Sequence, residues 1–251
     1  MAFEIVRNMA IDQDIAFDQD MIADQDIAAD QHVSGNLALA VQPQQIFHHP
    51  ALRRLGETLE PAPAGQPAWS RAELAGRLCE LAAGQDGALL SAGLGLVLDA
   101  QREGETAAWV TATRATFFPP DAAACGVDLA ALVVVQTGEA ATAGRAADVL
   151  LRAGACGLVV LDLGTGAAMP TPLQGRMVQL ALKHDAAVVC LTQKRPDEAS
   201  LGSLVSLRGQ SARRRSRDGR RFLCGIDTLK DKRRGPGWAW QEVRLGPDGL
   251  C

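Results

Sequence analysis

Leu158-Val159-Val160-Leu161-Asp162 decides the fold class. Four consecutive apolar residues with no polar alternation must be buried on both faces, which is the condition of a parallel strand covered by helices on either side. The flanking sequence fits. Upstream, a helix is predicted over Ala141–Ala153, with Ala143, Ala146, Ala147, Leu150 and Leu151 on one face; downstream, a second is predicted over Pro172–His184. Working outward, apolar runs predict strands near Leu78–Ala82, Ala107–Thr111, Leu132–Val135 and Ala186–Thr192, and a helix fits Ala92–Arg102. Beyond Thr192 this alternation stops. Ser203–Arg208, Arg220–Leu229 and Ala239–Leu245 read as an antiparallel extension, so the expected class is α/β: a mostly parallel sheet flanked by helices, with an antiparallel C-terminal end.

The core is expected to begin near Trp69. Before it, residues 36–68 read as a linker with one possible anchor, Ile46-Phe47, and closed by the Pro-Ala-Pro-Ala-Gly-Gln-Pro stretch at 61–67, whose prolines interrupt both helix and sheet. Residues 1–35 carry eight acids and one base, Arg7, with Asp-Gln-Asp recurring at 12–14, 18–20 and 24–26. Six residues turn about 600° on a helix, so the repeat builds no apolar face there. In an extended chain it would put aspartates on one side and Ile11, Ile15, Phe17, Met21, Ile27 and Val33 on the other. Its acidity favours a disordered or loosely attached leader.

At 251 residues and 47% apolar, the chain has room for one substantial core. No uncharged run is long enough to span a membrane, and the start lacks the pattern of a secretory signal, so a cytoplasmic location is expected. The six cysteines never fall at C-x-x-C spacing. They read as buried free thiols, with no metal site expected. The net charge of −4 conceals an asymmetry: Arg213, Arg214, Arg215, Arg217, Arg220, Arg221, Lys230, Lys232, Arg233 and Arg234 crowd the region after Lys194. Such a segment suits an anionic partner, DNA first, gripped through its phosphates. Equally, Arg213 to Arg221 reads as the solvated loop of a hairpin. With Phe222, Trp238 and Trp240 as the nearby aromatics, a dedicated base-stacking platform is not expected.

Several segments resemble bacterial RecA recombinases. Gly76-Arg77-Leu78-Cys79-Glu80-Leu81 is similar to the strand before the RecA phosphate loop, and Ala100-Gln101-Arg102-Glu103-Gly104 to the end of the helix after it. A second match runs from Pro120 through Cys125-Gly126-Val127-Asp128, Val135-Gln136-Thr137-Gly138-Glu139 and Arg152-Ala153-Gly154-Ala155 to Leu158–Asp162. Together they cover about ninety residues in the right order, and they imply a RecA-like core. Departures lie at the ATP site. A phosphate loop reads G-x-x-x-x-G-K-[ST], because amides cradle phosphates, lysine neutralises them and the hydroxyl holds magnesium. Here the aligned residues are Ala83-Gly84-Gln85-Asp86-Gly87-Ala88-Leu89-Leu90. Leucines replace lysine and hydroxyl, Asp86 adds a negative charge, and Thr113 falls near the water-activating glutamate's place. Asp162 matches the Walker B aspartate and Gln193 the γ-phosphate sensor; both read as relics, and an acid ending a buried strand also commonly caps a turn.

Degenerate RecA-like chains of this size resemble the ImuA family, relatives of RecA associated with translesion synthesis and the SOS response, and Thr228-Leu229-Lys230-Asp231-Lys232-Arg233-Arg234-Gly235 is similar to a segment of such proteins. The lost lysine, hydroxyl and catalytic acid argue for an inert site, with no cofactor and no catalytic residues expected; the resemblance implies a bridging protein partnered by RecA and an ImuB-like protein. It also likens Lys230 and Lys232 to a lysine pair that in RecA reaches the neighbouring protomer's ATP, or leaves them part of one charge run with Arg233 and Arg234. The alternatives are a nucleic-acid-binding module acting through the basic segment, an ATPase with an unorthodox phosphate site, and a cell-division inhibitor of the SulA type.

Overall fold

In the computed structural model, residues 68–84, 87–112, 117–215 and 221–245 are described. The acidic hexads, most of the linker with Ile46 and Phe47, Gln85, Asp86, Thr113, Arg217, Arg220 and Cys251 lie outside them. The strands are β1 (Arg77–Ala83), β2 (Ala107–Thr111), β3 (Leu132–Gln136), β4 (Leu158–Gly164), β5 (Ala187–Gln193), β6 (Leu207–Arg215), β7 (Arg221–Asp231) and β8 (Ala239–Leu245). The helices are α1 (Arg71–Leu74), α2 (Leu89–Arg102), α3 (Pro119–Ala124), α4 (Ala140–Ala153) and α5 (Thr171–His184), with a 3-10 turn at Leu129–Ala131.

Among the described residues the strands form one sheet in the order β3-β2-β4-β5-β1-β6-β7-β8. Pairing is parallel from β3 to β6 and antiparallel from β6 to β8. This is the expected class. β4 and β1 are buried along their whole length, as their unbroken apolar runs require, because α2 covers one face and α4 and α5 the other. On the α2 side Leu81, Leu96, Val97, Trp109, Val160 and Leu191 form one core; on the opposite side Leu78, Val110, Ala147, Leu151, Val159, Leu161 and Met177 form the second.

Two glycines are needed for these layers to close. Gly93 of α2 crosses β2 so closely that a Cβ would sit 2.9 Å from the Trp109 ring and 3.1 Å from Leu191. Gly154 ends α4 at φ 66°, the left-handed conformation that favours glycine, with the His184 ring 2.8 Å from where a Cβ would be.

Three readings need correction. The strand placed at Ser203–Arg208 is Leu207–Arg215; one edge pairs parallel with β1, from Cys79↔Leu207 to Ala82↔Gln210, while the other pairs antiparallel with β7 along its whole length. The run Arg213-Arg214-Arg215 is therefore inside a strand, and Arg221 opens the next, rather than both lying in a hairpin loop. Alternation explains it: consecutive arginines on a strand extending past its covering helix reach water from both faces. Finally β3, read among the strands of a sheet covered on both faces, is the sheet's edge, with Val133 and Val134 about 40% exposed.

Candidate functional site

In an open, mostly parallel sheet, ligands bind outside the C-terminal ends of the strands. β1 delivers Ala83 there beside Gln193 of β5, and Asp162 of β4 is in register with Leu191 of β5 and Thr111 of β2. Asp162 is 5% exposed and shares the α2 face with Leu191; Gln193 is exposed. Ala83, from which Gly84, Gly87 and Ala88 follow, thus ends its strand at the same edge of the sheet as Asp162 and Gln193.

The described residues between β1 and α2 bond to the protein itself. Gly87 N–H donates to Gly84 O at 3.2 Å, and Ala88 N–H donates to the Ser211 hydroxyl at 3.2 Å in a buried bond. Helix N-termini leave backbone N–H groups in need of acceptors. In a phosphate loop such amides face the nucleotide; here β6 reaches across with a side chain and satisfies one of them. Leu89 packs against the core, while Leu90 is 39% exposed. Residues 83–90 contain no cation and no hydroxyl, and Asp162 is on β4, which β5 separates from β1 in the sheet. The sequence of the loop includes the acid Asp86, so it offers a polyphosphate no neutralising charge. Ser211 escaped the sequence reading because its role depends on the register of β6.

Glu80 also went unread. It is fully buried in the middle of β1, on the α5 side of the sheet, where it accepts hydrogen bonds from Thr192 Oγ1 at 3.1 Å, Ser200 Oγ at 2.7 Å and Leu201 N–H at 3.0 Å and pairs with Lys194 Nζ at 3.2 Å. Burial pushes its carboxyl up, but the bonds from Ser200 and Leu201 and the Lys194 ammonium outweigh this and hold it below the usual range. The signal was a lone acid within an apolar strand. Glu80 fastens the 194–206 connection to the sheet and so fixes where β6 starts.

The basic residues are dispersed. Arg213 and Arg215 project from one face of β6, their Cζ atoms 5.3 and 6.0 Å from the centre of the Phe222 ring. Arg214 and Arg221 belong by alternation to the other face. Lys230 and Lys232 both donate to the Ser203 carbonyl, at 3.4 and 2.6 Å; burial, then the neighbouring Lys232, lowers the Lys230 ammonium's pKa. Arg233 donates to Ala75 O at 3.1 Å, and Arg234 makes a forked pair with Glu73 at 3.1 and 2.8 Å. Between the lysines, Asp231 turns inward to Arg77.

Of the described cysteines, Cys79, Cys156, Cys190 and Cys224 are buried and Cys125 half-buried, all as free thiols, and burial pushes Cys79 up to about 12. No cluster of three or more metal-ligating side chains occurs among the described residues, and none of their helices is long and apolar enough to cross a membrane.

Comparison with known proteins places the fold. The chain is similar to the RadB recombinase, with a TM-score of 0.52 and 13% identity over 67% of this chain and 87% of that one. It is similar also to a KaiC-like protein of the hyperthermophilic archaeon Pyrococcus horikoshii, with a TM-score of 0.50 and 12% identity over 69% and 90%. No family model matches the sequence, and no curated protein matches it. The architecture is RecA-like: the mostly parallel sheet, its flanking helices and the antiparallel C-terminal strands recur in these neighbours.

Proposed function

We propose that this chain is a non-catalytic accessory protein of the DNA-damage response, a member of the ImuA family that binds RecA and an ImuB-like partner in the cytoplasm and links mutagenic translesion synthesis to control of RecA. One observation carries the reading: a RecA-like core whose phosphate loop has leucines at 89 and 90 and whose helix amide at Ala88 donates to the Ser211 hydroxyl. A fold built to hold ATP between protomers, stripped of the groups that neutralise and coordinate it, keeps the shape of a RecA subunit without its chemistry. Co-precipitation of RecA and of the ImuB-like protein with the tagged chain from nuclease-treated extract of damaged cells tests it. Retention of both is the expected result, and loss of both after nuclease treatment would refute direct contact.

A second reading, a nucleic-acid-binding module, is favoured by the pairing of Arg213 and Arg215 with Phe222. It requires binding that weakens steeply with salt and shows little sequence preference.

A further inference from the structure

We propose that one face of the C-terminal strands, carrying Arg213, Arg215, Phe222 and Arg244, is a binding surface for single-stranded nucleic acid, and that Phe222 is a positioning residue for its two outer arginines. The inference rests on the second reading above and sharpens it to one face of the sheet.

β6 outruns β1: its last parallel partner is Ala82↔Gln210 and β1 ends at Ala83, so Ala212–Arg215 extends past the end of β1. The register then sorts the basic run. Arg213 lies opposite Cys224, Arg215 opposite Phe222, and Phe222 opposite Arg244, all on the α2 face; Arg214, opposite Leu223, points to the other side, as does Arg221 by alternation. Arg244 on this face pairs with Glu242 at 2.8 Å. Arg213 and Arg215 are exposed, and Phe222 is half-buried between the strands.

Their mutual geometry points to the ligand. Both outer guanidiniums lie within the range of a cation–π contact with one ring. Ordered this way they have already given up side-chain freedom, so binding costs less. A guanidinium held over a ring offers its outer plane to a base and its edge donors to phosphate oxygens. Alternate strand residues stand ~7 Å apart, so each can serve a separate phosphate of an extended strand. A duplex would keep its base faces stacked away from them. The sequence supplies few aromatics for stacking, but the fold places the arginines to do part of that work.

The experiment uses the full chain and a fluorescein-labelled oligothymidylate, followed by anisotropy across a salt series. Arg213→Ala with Arg215→Ala should weaken binding roughly tenfold or more and flatten the salt slope by about 1.4, two phosphate contacts at ~0.7 each. Arg214→Ala with Arg221→Ala removes the same charge from the opposite face and should change affinity by less than about threefold. Phe222→Leu should weaken binding roughly three- to tenfold, with the charge unchanged and the melting temperature near that of the wild type, and Phe222→Trp should restore it. Equal losses from both arginine pairs, no loss from Phe222→Leu, or competition by polyglutamate as effective as by oligonucleotide would each overturn the proposal. A wild-type chain that binds no oligonucleotide at low salt would sink the second reading as well, whereas face-insensitive binding would sink this inference alone.

Discussion

Asp231→Ala is expected to destabilise the chain by about 3 kcal/mol. The Asp231 side chain is shut from solvent at the end of β7 and accepts from Arg77 Nη2 at 2.5 Å, from Arg233 N–H at 2.8 Å and from the Trp238 indole at 3.1 Å. Arg77 is 1% exposed, so removing its partner strands a buried guanidinium, for which losses of roughly 3–5 kcal/mol are usual. The Ser206 hydroxyl at 2.9 Å and Ser206 carbonyl at 3.2 Å still accept from Arg77 and Glu73 stays 3.9 Å away, which sets the lower end of that range. A domain of this size shifts by about 2–4 °C per kcal/mol, so the melting temperature should fall by roughly 6–12 °C. Arg77→Met with Asp231→Leu should recover much of this, because an apolar pair leaves no buried charge, but not all, since Arg233 N–H and the indole lose their acceptor. Burial pushes the Asp231 carboxyl up, but hydrogen bonds from the Arg233 amide, Arg77 and Trp238 outweigh it and hold the folded pKa below the ordinary 3.8. Its stabilisation is thus complete above that ordinary value and is lost as pH falls below it, so the gap between wild type and Asp231→Ala should close in acid. Thermal denaturation followed by circular dichroism across pH reads all of this. A loss under about 1 kcal/mol at neutral pH would mean that water reaches the pair, and would refute the reasoning.

Ser211→Ala should cost about 0.5–2 kcal/mol, the usual range for a lost helix cap, by leaving Ala88 N–H without its acceptor; a melting temperature unchanged within a degree or so would show that the amide finds another. Gly93→Ala should cost roughly 1–3 kcal/mol, because the new methyl meets the Trp109 ring and Leu191 in a closed core, and an unaltered melting temperature would mean that α2 shifts freely. For Glu80, the folded carboxyl sits below its ordinary 4.5, so its contribution too is present at neutral pH and disappears in acid; Glu80→Gln should therefore make the acid limb of the stability curve shallower, and an identical limb would contradict the burial of its charge.

Legibility of the sequence followed burial. Strands covered on both faces announced themselves: Leu158–Leu161 and Ala107–Thr111 lie where their apolar runs put them. The helix face of Ala143, Ala147 and Leu151 is buried as its spacing requires. Where a strand leaves its helical cover the hydrophobic signal fails, and three consecutive arginines in β6 read as a loop although the backbone continues in register with β7. Short elements held by side-chain contacts were equally silent. α1 is anchored by Asp99, which accepts from Arg71 N–H at 2.7 Å, a contact spanning 28 residues. At the candidate site, what is missing was legible, since Leu89 and Leu90 are read directly from the loop. What fills the gap was not, because Ser211 is 123 residues from Ala88 and only the parallel pairing of β1 with β6 brings them together.

The central claim is that this RecA-like core has no working nucleotide site, and equilibrium titration of the purified full chain with ATP and magnesium tests it most directly. The expected result is no saturable binding and no phosphate release, because residues 83–90 offer neither lysine nor hydroxyl and the Ala88 amide is already engaged by Ser211. Saturable binding in the micromolar range that Asp162→Ala abolishes would contradict it.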